Sequence, residues 1–294
     1  MKKLLAIVLT AVMALTAVAC SSGSAAAPAA ETQTEAQAAA STDQSQASGK
    51  LAEILAKGKI VVATDAAWAP FEYIGKEGEV TGSDLEIGKY IAQQLGVECE
   101  IINVAFDSLS TYLANNECDL AIAAMTITDE RKETVDFSSP YTVACQYIIV
   151  PETDTATSKI EDLAGKSVGV HLGTTGDFLV SDEALSGCLA GTGTEVKQYK
   201  FLTDACLAMN NGELGAIVCD TLLAKNLVAT NKGLKCFELV YGDGTKTDEE
   251  YGIAMAKGDP EFVKKINEII DPIIKDGTID GWILKHTELA SEIN

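Results

Sequence analysis

Residues 119–131 read DLAIAAMTITDER, and the pattern changes twice within this one stretch. Residues 120–123 form an apolar run with the length and composition of a buried strand. Thr128 has the residue type of a helix N-cap, and Arg131 follows one turn later. The stretch therefore predicts a buried strand, a loop and a short helix, which is the strand-to-helix connection of an α/β fold.

The same alternation continues on both sides of this stretch. Short β-branched runs predict further strands, and segments with apolar residues three and four positions apart predict the helices between them. The predicted strands cover residues 60–63, 97–104, 167–171, 195–200 and 216–219, and the predicted helices cover residues 84–95, 108–115, a segment after Thr174, a segment capped by Thr203, and residues 260–275. This alternation indicates an α/β fold with mainly parallel sheets.

Two segments roughly a hundred residues apart resemble each other. Residues 58–64 read GKIVVAT, and residues 165–171 read GKSVGVH. Each has the pattern of the first strand of a sheet, followed by a loop that opens toward a ligand. Together with the alternation of strands and helices, this repeat predicts a body made of two similar lobes.

The composition excludes several classes of protein. The chain has 22 Lys and Arg against 43 Asp and Glu, a formal charge of −21, and 47% hydrophobic residues. Such an acidic chain lacks the basic face that nucleic-acid binding needs, and it is too apolar to be disordered. No complete hydrolase, metalloprotease, P-loop or dinucleotide-binding motif occurs, and the two histidines stand far apart. We expect no nucleic-acid partner, no metal and no cofactor.

The first residues, MKKLLAIVLTAVMALTAVAC, have the layout of a bacterial export signal, with two lysines before an apolar run too short to span a bilayer comfortably. Small residues lead up to Cys20, and this ending resembles a lipobox, in which the chain is cut before a cysteine that becomes lipid-modified. A plain secretory signal with an incidental cysteine is the alternative. We expect a signal peptide at residues 1–19, and an anchor cysteine with a disordered tether at residues 20–50.

Two features are candidates for binding an anion. The side chain of Arg131 has the geometry to bind a carboxylate, although spacing alone favours the alternative of a surface arginine on a short helix. Residues 173–176 read GTTG, follow a predicted strand and open a predicted helix, so their backbone N–H groups form either an anion site or an ordinary turn. The residues alone leave both alternatives open.

Eight motifs in one order identify a family. They are TDxxWxPFE at residues 64–72, GxDLE at 82–86, MTITxxR at 125–131, VDFSxPY at 135–141, DLxGKxVGV at 162–170, GTT at 173–175, Asp220, and YGIA at 251–254. In this order they resemble the substrate-binding proteins of polar amino-acid ABC transporters (extracellular solute-binding proteins, family 3). The resemblance covers essentially all of residues 51–294.

The resemblance implies a type II periplasmic-binding-protein-like fold, in which two α/β lobes joined by two hinge crossings close over an amino acid. Lobe 1 would comprise residues 51–142 and 250–294, and lobe 2 would comprise residues 147–246. The hinges would lie near residues 143–146 and 247–251.

The resemblance also implies how the ligand's carboxylate is held. Arg131 would bind the α-carboxylate, and the backbone and side chains around Ala124 and Thr126 would help to hold both the carboxylate and the α-ammonium group. Thr174 and Thr175, at a helix N-terminus in the other lobe, would complete the carboxylate site.

The ammonium group and the rest of the ligand fall to other positions. Asp220 would pair with the α-ammonium group. Trp68 and Phe106 match positions where the family holds the aliphatic stem of the ligand between aromatic faces, and the alternative is that both are core aromatics.

Three further residues match positions near the tip of the ligand's side chain, namely Asp65, Asp84 and His171. Two acids there favour a basic or amide tip. Ser83 stands where the family usually has an aromatic or aliphatic residue, so the outline of the pocket departs from the family pattern.

The sequence therefore predicts an exported, lipid-anchored receptor on the outer face of the cytoplasmic membrane. It would bind a free polar or basic amino acid as a monomer and deliver it to the permease subunits of an ABC importer. The alternative is an enzyme on the same fold, such as a cyclohexadienyl dehydratase. A sensor module is a third option. The sequence does not identify the amino acid or the permease.

Overall fold

The structure is a computed structural model that describes residues 49–293. The predicted signal peptide at residues 1–19, the predicted anchor at Cys20 and nearly all of the predicted tether at residues 20–50 lie outside the described residues. Among the residues that are described, no helix has both the length and the apolar character needed to cross a membrane.

The first part of the body alternates between strands and helices as the sequence predicts. Helix α2 ends before Gly96, whose φ of 68° is the left-handed conformation of a C-terminal cap. In chain order the elements are α1 (Gly49–Lys57), β1 (Lys59–Thr64), β2 (Ala67–Trp68), β3 (Glu72–Ile74), β4 (Val80–Thr81), α2 (Ser83–Leu95), β5 (Glu98–Asn103), α3 (Leu109–Ala114), β6 (Leu120–Ala121), α4 (Asp129–Thr134) and β7 (Val135–Phe137), with a 3₁₀ turn at Phe106–Ser108.

The second part of the body repeats this alternation. Its elements are β8 (Thr142–Ala144), β9 (Gln146–Pro151), β10 (Ser167–His171), α5 (Thr175–Leu185), β11 (Glu195–Tyr199), α6 (Leu202–Asn210), β12 (Ala216–Asp220), α7 (Thr221–Thr230) and β13 (Leu234–Glu238), with a 3₁₀ turn at Ile160–Leu163. The N-cap predicted at Thr203 is wrong, because the helix begins at Leu202 with Phe201 at its N-cap. Leu202 is buried, and packing of this side chain starts the helix earlier than the capping signal suggests.

The chain then returns to the first part through β14 (Glu249–Tyr251) and β15 (Ala254–Ala256) and ends with α8 (Pro260–Lys275) and α9 (Thr278–Ser291). The start predicted for α8 is confirmed: the side chain of Asp259 accepts a 3.0 Å hydrogen bond from the backbone N–H of Phe262, and Pro260 occupies the first helical turn.

Each part of the body is built on a five-stranded sheet. The strand orders are β5-β1-β6-β15-β7 and β11-β10-β12-β9-β13. Strand β1 pairs in parallel with β5 and β6, and β10 pairs in parallel with β11 and β12, whereas the pairs made by β15 and β9 are antiparallel. The sheets are therefore mixed rather than mainly parallel. The reason is that β9 and β15 enter their sheets directly from a crossing between the two parts, without the helical crossover that makes a strand parallel.

Two chain segments connect the two parts, and they lie side by side. Strand β8 on the outward crossing pairs with β14 on the return crossing in an antiparallel ribbon, with Ala144 opposite Glu249 and Thr142 opposite Tyr251. The fold is thus a two-lobed α/β fold with two hinge crossings, as the resemblance implies. The lobe boundaries given above stay predictions.

Apolar side chains cover both faces of the first sheet. Ile60 and Val62 of β1 belong to one buried cluster together with residues of α2 and α8, whereas Ala63 belongs to a second cluster with Leu109 and Leu113 of α3. The C-terminal helix α9 packs on α2 and α8 of lobe 1 and also contacts α7 of lobe 2. This helix therefore joins the two lobes at a place other than the crossing strands.

Candidate functional site

The two lobes meet at the carboxyl ends of their central strands, which is where open α/β sheets bind ligands. Five buried polar residues follow or end these strands: Asp65 after β1, Thr126 after β6, His171 at the end of β10, Thr174 before α5, and Asp220 at the end of β12. The structure thus brings together, between the two lobes, residues that the sequence places far apart.

The Arg131 side chain reaches across this space. Its backbone N–H donates to Thr128 Oγ1 at 3.1 Å, so the predicted N-cap is confirmed. Nη1 donates to the backbone oxygen of Thr126 at 2.8 Å, and Nη2 donates to the backbone oxygen of Gly173 in the other lobe at 3.1 Å. The guanidinium carbon also lies 5.3 Å from the centre of the Phe106 ring, a cation–π distance.

This guanidinium group has no counter-ion of its own within residues 49–293, where the ion pairs all involve Lys or His. Burial lowers the pKa of Arg131, and the nearby carboxyl groups of Glu249 and Asp220 oppose that effect. An arginine stays charged in proteins, so the site holds a desolvated cation that can accept a carboxylate.

The GTT segment of the other lobe adjoins Arg131, whose Nη2 contacts the backbone oxygen of Gly173. Gly173 has a φ of 80°, which favours glycine, and a Cβ atom there would lie 3.2 Å from the side chain of Asp107. Thr174 is the N-cap of α5, and its Oγ1 donates to the backbone oxygen of His171 at 2.8 Å. Thr175 is the first residue of the helix, so its backbone N–H lacks an intrahelical partner, as expected at a helix N-terminus.

Asp220 stands on the lobe 2 side of the site with its carboxylate fully engaged. Oδ1 accepts a 2.5 Å hydrogen bond from Gln146 Nε2, and Oδ2 accepts one from the hydroxyl of Tyr251. Burial, together with the carboxyl group of Glu249, raises the pKa of Asp220 to about 8, although its hydrogen bonds and Arg131 act in the opposite direction. The raised pKa favours the protonated form of Asp220 near neutral pH.

Glu249 is a buried residue of the site that the sequence reasoning missed. Its Oε2 accepts hydrogen bonds from Thr126 Oγ1 at 2.7 Å and from Thr175 Oγ1 at 2.9 Å, and its Oε1 accepts one from Gln146 Nε2 at 2.7 Å. The position of Glu249 in the chain could have pointed to it. Glu249 lies within the predicted hinge, and it is two residues from Tyr251 on β14, so the two side chains share the buried face of that strand.

The predicted stem and tip residues also meet. The ring centres of Trp68 and His171 are 5.3 Å apart, and those of Phe106 and His171 are 6.1 Å apart. His171 Nε2 lies 3.3 Å from Asp65 Oδ2, which also accepts a hydrogen bond from the backbone N–H of Phe106. His171 Nδ1 is buried without a hydrogen-bond partner among the described residues.

Asp84 lies beneath the site rather than on its surface. It is fully buried, and Oδ2 accepts hydrogen bonds from the backbone N–H of Ala124 at 2.8 Å and from the hydroxyl of Tyr141 at 2.7 Å. Ala124 has a φ of 47°, an uncommon conformation for alanine, and the bond to Asp84 helps to hold it. The structure therefore shows Asp84 supporting the loop before Thr126, while its contact with a ligand tip stays a prediction.

Comparison with known proteins places this architecture in a family. The family model described as bacterial extracellular solute-binding proteins, family 3, matches residues 60–288. The chain belongs to this family. This family-3 protein is 31% identical to the L-cystine-binding protein TcyJ of Escherichia coli, in an alignment that covers 79% of the chain and 84% of TcyJ.

Solved structures agree with the family assignment. The amino acid ABC transporter substrate-binding protein AbpA from Streptococcus pneumoniae, bound to L-arginine, has a TM-score of 0.75 and 31% identity to this family-3 protein, covering 82% of it and 99% of AbpA. The ancestral amino acid-binding protein AncCDT-1, a precursor of cyclohexadienyl dehydratase, has a TM-score of 0.71 and 30% identity. The match covers 81% of this chain and 100% of AncCDT-1.

Proposed function

We propose that this protein captures a free polar or basic amino acid between its two lobes and delivers it to the permease subunits of an ABC importer. One observation carries the proposal: a desolvated guanidinium group without a counter-ion in the described residues faces a buried carboxyl group from the opposite lobe. Arg131 and Asp220 are the complement of the carboxylate and ammonium groups that every free α-amino acid has.

The two ends of the ligand would be held from both lobes. The α-carboxylate would bind Arg131 and the backbone N–H of Thr175, and the α-ammonium group would bind Asp220 and Thr126 Oγ1. Because contacts from both lobes exist together only when the lobes are closed, the ligand stabilises the closed state. Each hydrogen bond to a charged group is worth about 1.5–3 kcal/mol, so a few of them account for micromolar affinity or better.

The tip of the pocket favours a basic or amide side chain. Asp65 and His171 lie side by side there, and Trp68 and Phe106 flank them. A carboxylate accepts hydrogen bonds from a guanidinium, ammonium or amide group, whereas it repels an acidic tip. The named relatives are binding proteins for cystine and arginine, among others, which is consistent with a polar ligand.

The same proposal covers localisation. The protein would be exported, anchored through a lipid on Cys20, and active as a monomer at the outer face of the cytoplasmic membrane. Members of this family are extracellular solute-binding proteins. Cys20→Ser should move the protein from the membrane fraction to the soluble fraction, and retention in the membrane would contradict the anchor.

The proposal also takes the protein to be a receptor and not an enzyme. The alternative has two observations in its favour: Asp220 has the raised pKa of a general acid, and one structural neighbour is a dehydratase precursor. The presence of a carboxyl group, Asp220, and a guanidinium group, Arg131, on opposite lobes of one site favours amino-acid binding. Turnover of a cyclohexadienyl substrate by the purified protein, lost in Asp220→Asn, would support the enzyme instead.

A thermal-shift screen of residues 46–294, which form one compact unit, against cystine and the twenty free amino acids tests the proposal. A ligand at 100 times its Kd stabilises the native state by about 2.7 kcal/mol, an easily measured rise in Tm. Arg131→Ala should abolish the shift, and Lys132→Ala, which removes an exposed cation next to it, should not. A wild-type protein that responds to none of these compounds would contradict the proposal.

A further inference from the structure

We propose that Glu249 makes the pocket selective for a primary α-ammonium group, by fixing the hydroxyls of Thr126 and Thr175 as hydrogen-bond acceptors and by placing a second carboxylate beside Asp220. Glu249 would thus be a positioning residue that acts on the ligand through its neighbours. This inference rests on the proposed function, because it concerns the ammonium end of the same amino-acid site.

The hydrogen-bond inventory of the two threonines supports this role. A hydroxyl group has one proton to donate, and both Thr126 and Thr175 donate theirs to Oε2 of Glu249. Thr175 Oγ1 also accepts a 3.3 Å hydrogen bond from Gln146 Nε2, so the remaining capacity of these hydroxyls, both lone pairs of Thr126 and one of Thr175, is for accepting only. An ammonium group has three donors and no acceptor, so it matches such oxygens, whereas a group that needs a donor from the protein does not.

The position of Glu249 ties this selection to closure of the lobes. Thr126 belongs to lobe 1 and Thr175 to lobe 2, while Gln146 starts β9 immediately after the outward crossing and Glu249 itself lies on the return crossing. These partners are separated from Glu249 by 123, 74 and 103 residues in the chain. The acceptor arrangement is therefore complete only when both lobes meet the hinge.

The charges at the site lead to the same conclusion. Gln146 Nε2 donates to both Asp220 Oδ1 and Glu249 Oε1, so one amide nitrogen bridges the two buried carboxyl groups. Among the described residues, neither group forms an ion pair with a lysine or arginine. Arg131 is the nearby cation, and a ligand carboxylate would neutralise it. The α-ammonium group is then the positive charge that balances the acids.

Burial and the nearby Glu249 together raise the pKa of Asp220, as expected for two carboxyl groups held close together. The raised pKa means that Asp220 binds a proton more readily than an exposed aspartate does, and a ligand's ammonium group would replace that proton with a full positive charge. A ligand without the α-amino group leaves the proton in place and gains nothing from either carboxylate. Discrimination between the two kinds of ligand should therefore depend on Glu249.

The experiment compares Glu249→Gln with Glu250→Gln in the full chain. The first change keeps an oxygen that accepts the threonine hydroxyls but removes the charge, and the second removes the same charge from the exposed neighbour on the same strand. The probes are L-arginine, L-histidine and L-glutamine, each paired with its deamino analogue, in which hydrogen replaces the α-ammonium group. Calorimetry with the pair whose amino acid binds the wild type best gives a discrimination ratio, Kd of the analogue over Kd of the amino acid.

We expect Glu249→Gln to weaken amino-acid binding about tenfold or more while the deamino analogue changes little, because a lost charge–hydrogen-bond partner costs about that factor. The discrimination ratio then falls about tenfold, and Glu250→Gln leaves it unchanged. Equal weakening of both ligands would mean a purely structural role and would overturn the inference, as would an unchanged ratio.

Thr126→Val provides a second test that leaves the hinge strand intact. It removes the acceptor oxygen with little change in shape, so it should lower the same discrimination ratio even if Glu249→Gln is poorly folded. A ratio that Thr126→Val does not change would also overturn the inference. A wild-type protein that binds no amino acid at all would overturn the proposed function itself, which is a different result from normal binding with an unaltered ratio.

Discussion

The protein buries two pairs of carboxyl groups, and the two pairs differ in where their partners come from. Glu72 and Asp84 lie inside lobe 1, and the groups that bond to Asp84 also belong to the segment before the outward crossing. Asp220 and Glu249 lie between the lobes and share Gln146. In both pairs burial raises a carboxyl pKa, so the pKa alone does not identify a binding group. A pair that depends on lobe closure is available to a ligand, and a pair enclosed in one lobe supports the loop above it.

Asp220→Asn should have the largest effect on binding. It removes the charged partner of the α-ammonium group, which costs about 3–5 kcal/mol for a buried pair, so Kd should rise more than a hundredfold. Because burial raises the pKa of Asp220 to about 8, the folded protein keeps this proton while the unfolded chain loses it from about pH 4, so the wild-type residue costs stability increasingly between about pH 4 and pH 8. The unliganded variant should therefore melt about 2–4 °C higher at pH 8.5 and show no gain at pH 4, a rise equivalent to about 1 kcal/mol. Loss of stability at pH 8.5 would contradict this account.

Asp84→Ala should have its main effect on stability. The change leaves the backbone N–H of Ala124 and the hydroxyl of Tyr141 buried without an acceptor, at a cost of about 1–3 kcal/mol each. Tm in the absence of ligand should fall by about 5–12 °C. Tyr141→Phe removes one of the two donors and should give roughly half that fall or less. A variant that melts normally but does not bind would show instead that Asp84 contacts the ligand.

The affinity for the amino acid should depend on pH because of the raised pKa of Asp220. The ammonium group replaces the proton on Asp220, whose pKa is about 8 in the empty site, so affinity should rise with pH from 6 to 8, at most about tenfold per unit. Arg131, Tyr251 and Glu249 are the ionisable groups that act on Asp220 there. Glu249→Gln removes one cause of the raised pKa and should shift the profile to lower pH. Titration calorimetry in buffers of different ionisation enthalpy would also detect the released proton, and a flat profile would contradict it.

Glu72→Gln should have the smallest effect. Burial and the neighbouring Asp84 raise the pKa of Glu72 well above its ordinary value, which favours the neutral form of this side chain. An amide of the same shape should therefore change the free energy of unfolding by less than about 1 kcal/mol and leave Kd unaltered. Differential scanning calorimetry checks this, and a large loss of stability at pH 7 would show that Glu72 is ionised.

The family motifs were sufficient for the two-lobed α/β architecture and for naming Arg131 and Asp220. Arg131 sits one turn after a recognisable N-cap, whereas Asp220 ends an apolar strand and was singled out only by the family resemblance. Glu249 was missed because its three partners are far away in the chain and meet only through the hinge geometry. The mixed sheets were missed for a related reason, since the direction of β9 and β15 depends on the crossings and not on their own residues. For Asp84 the motif gave the residue, but its burial beneath Ala124 depends on packing.

The contact between α9 and α7 has a mechanical consequence. If the lobes rotated only about the paired crossing strands, the rest of their surfaces would separate freely. Because α9 is packed on lobe 1 and also touches lobe 2, opening has to slide this helix across α7 or break the contact. Opening of the lobes would therefore combine a shear movement with the hinge movement. A fluorescent label attached after α9 would report each cycle of ligand capture and release.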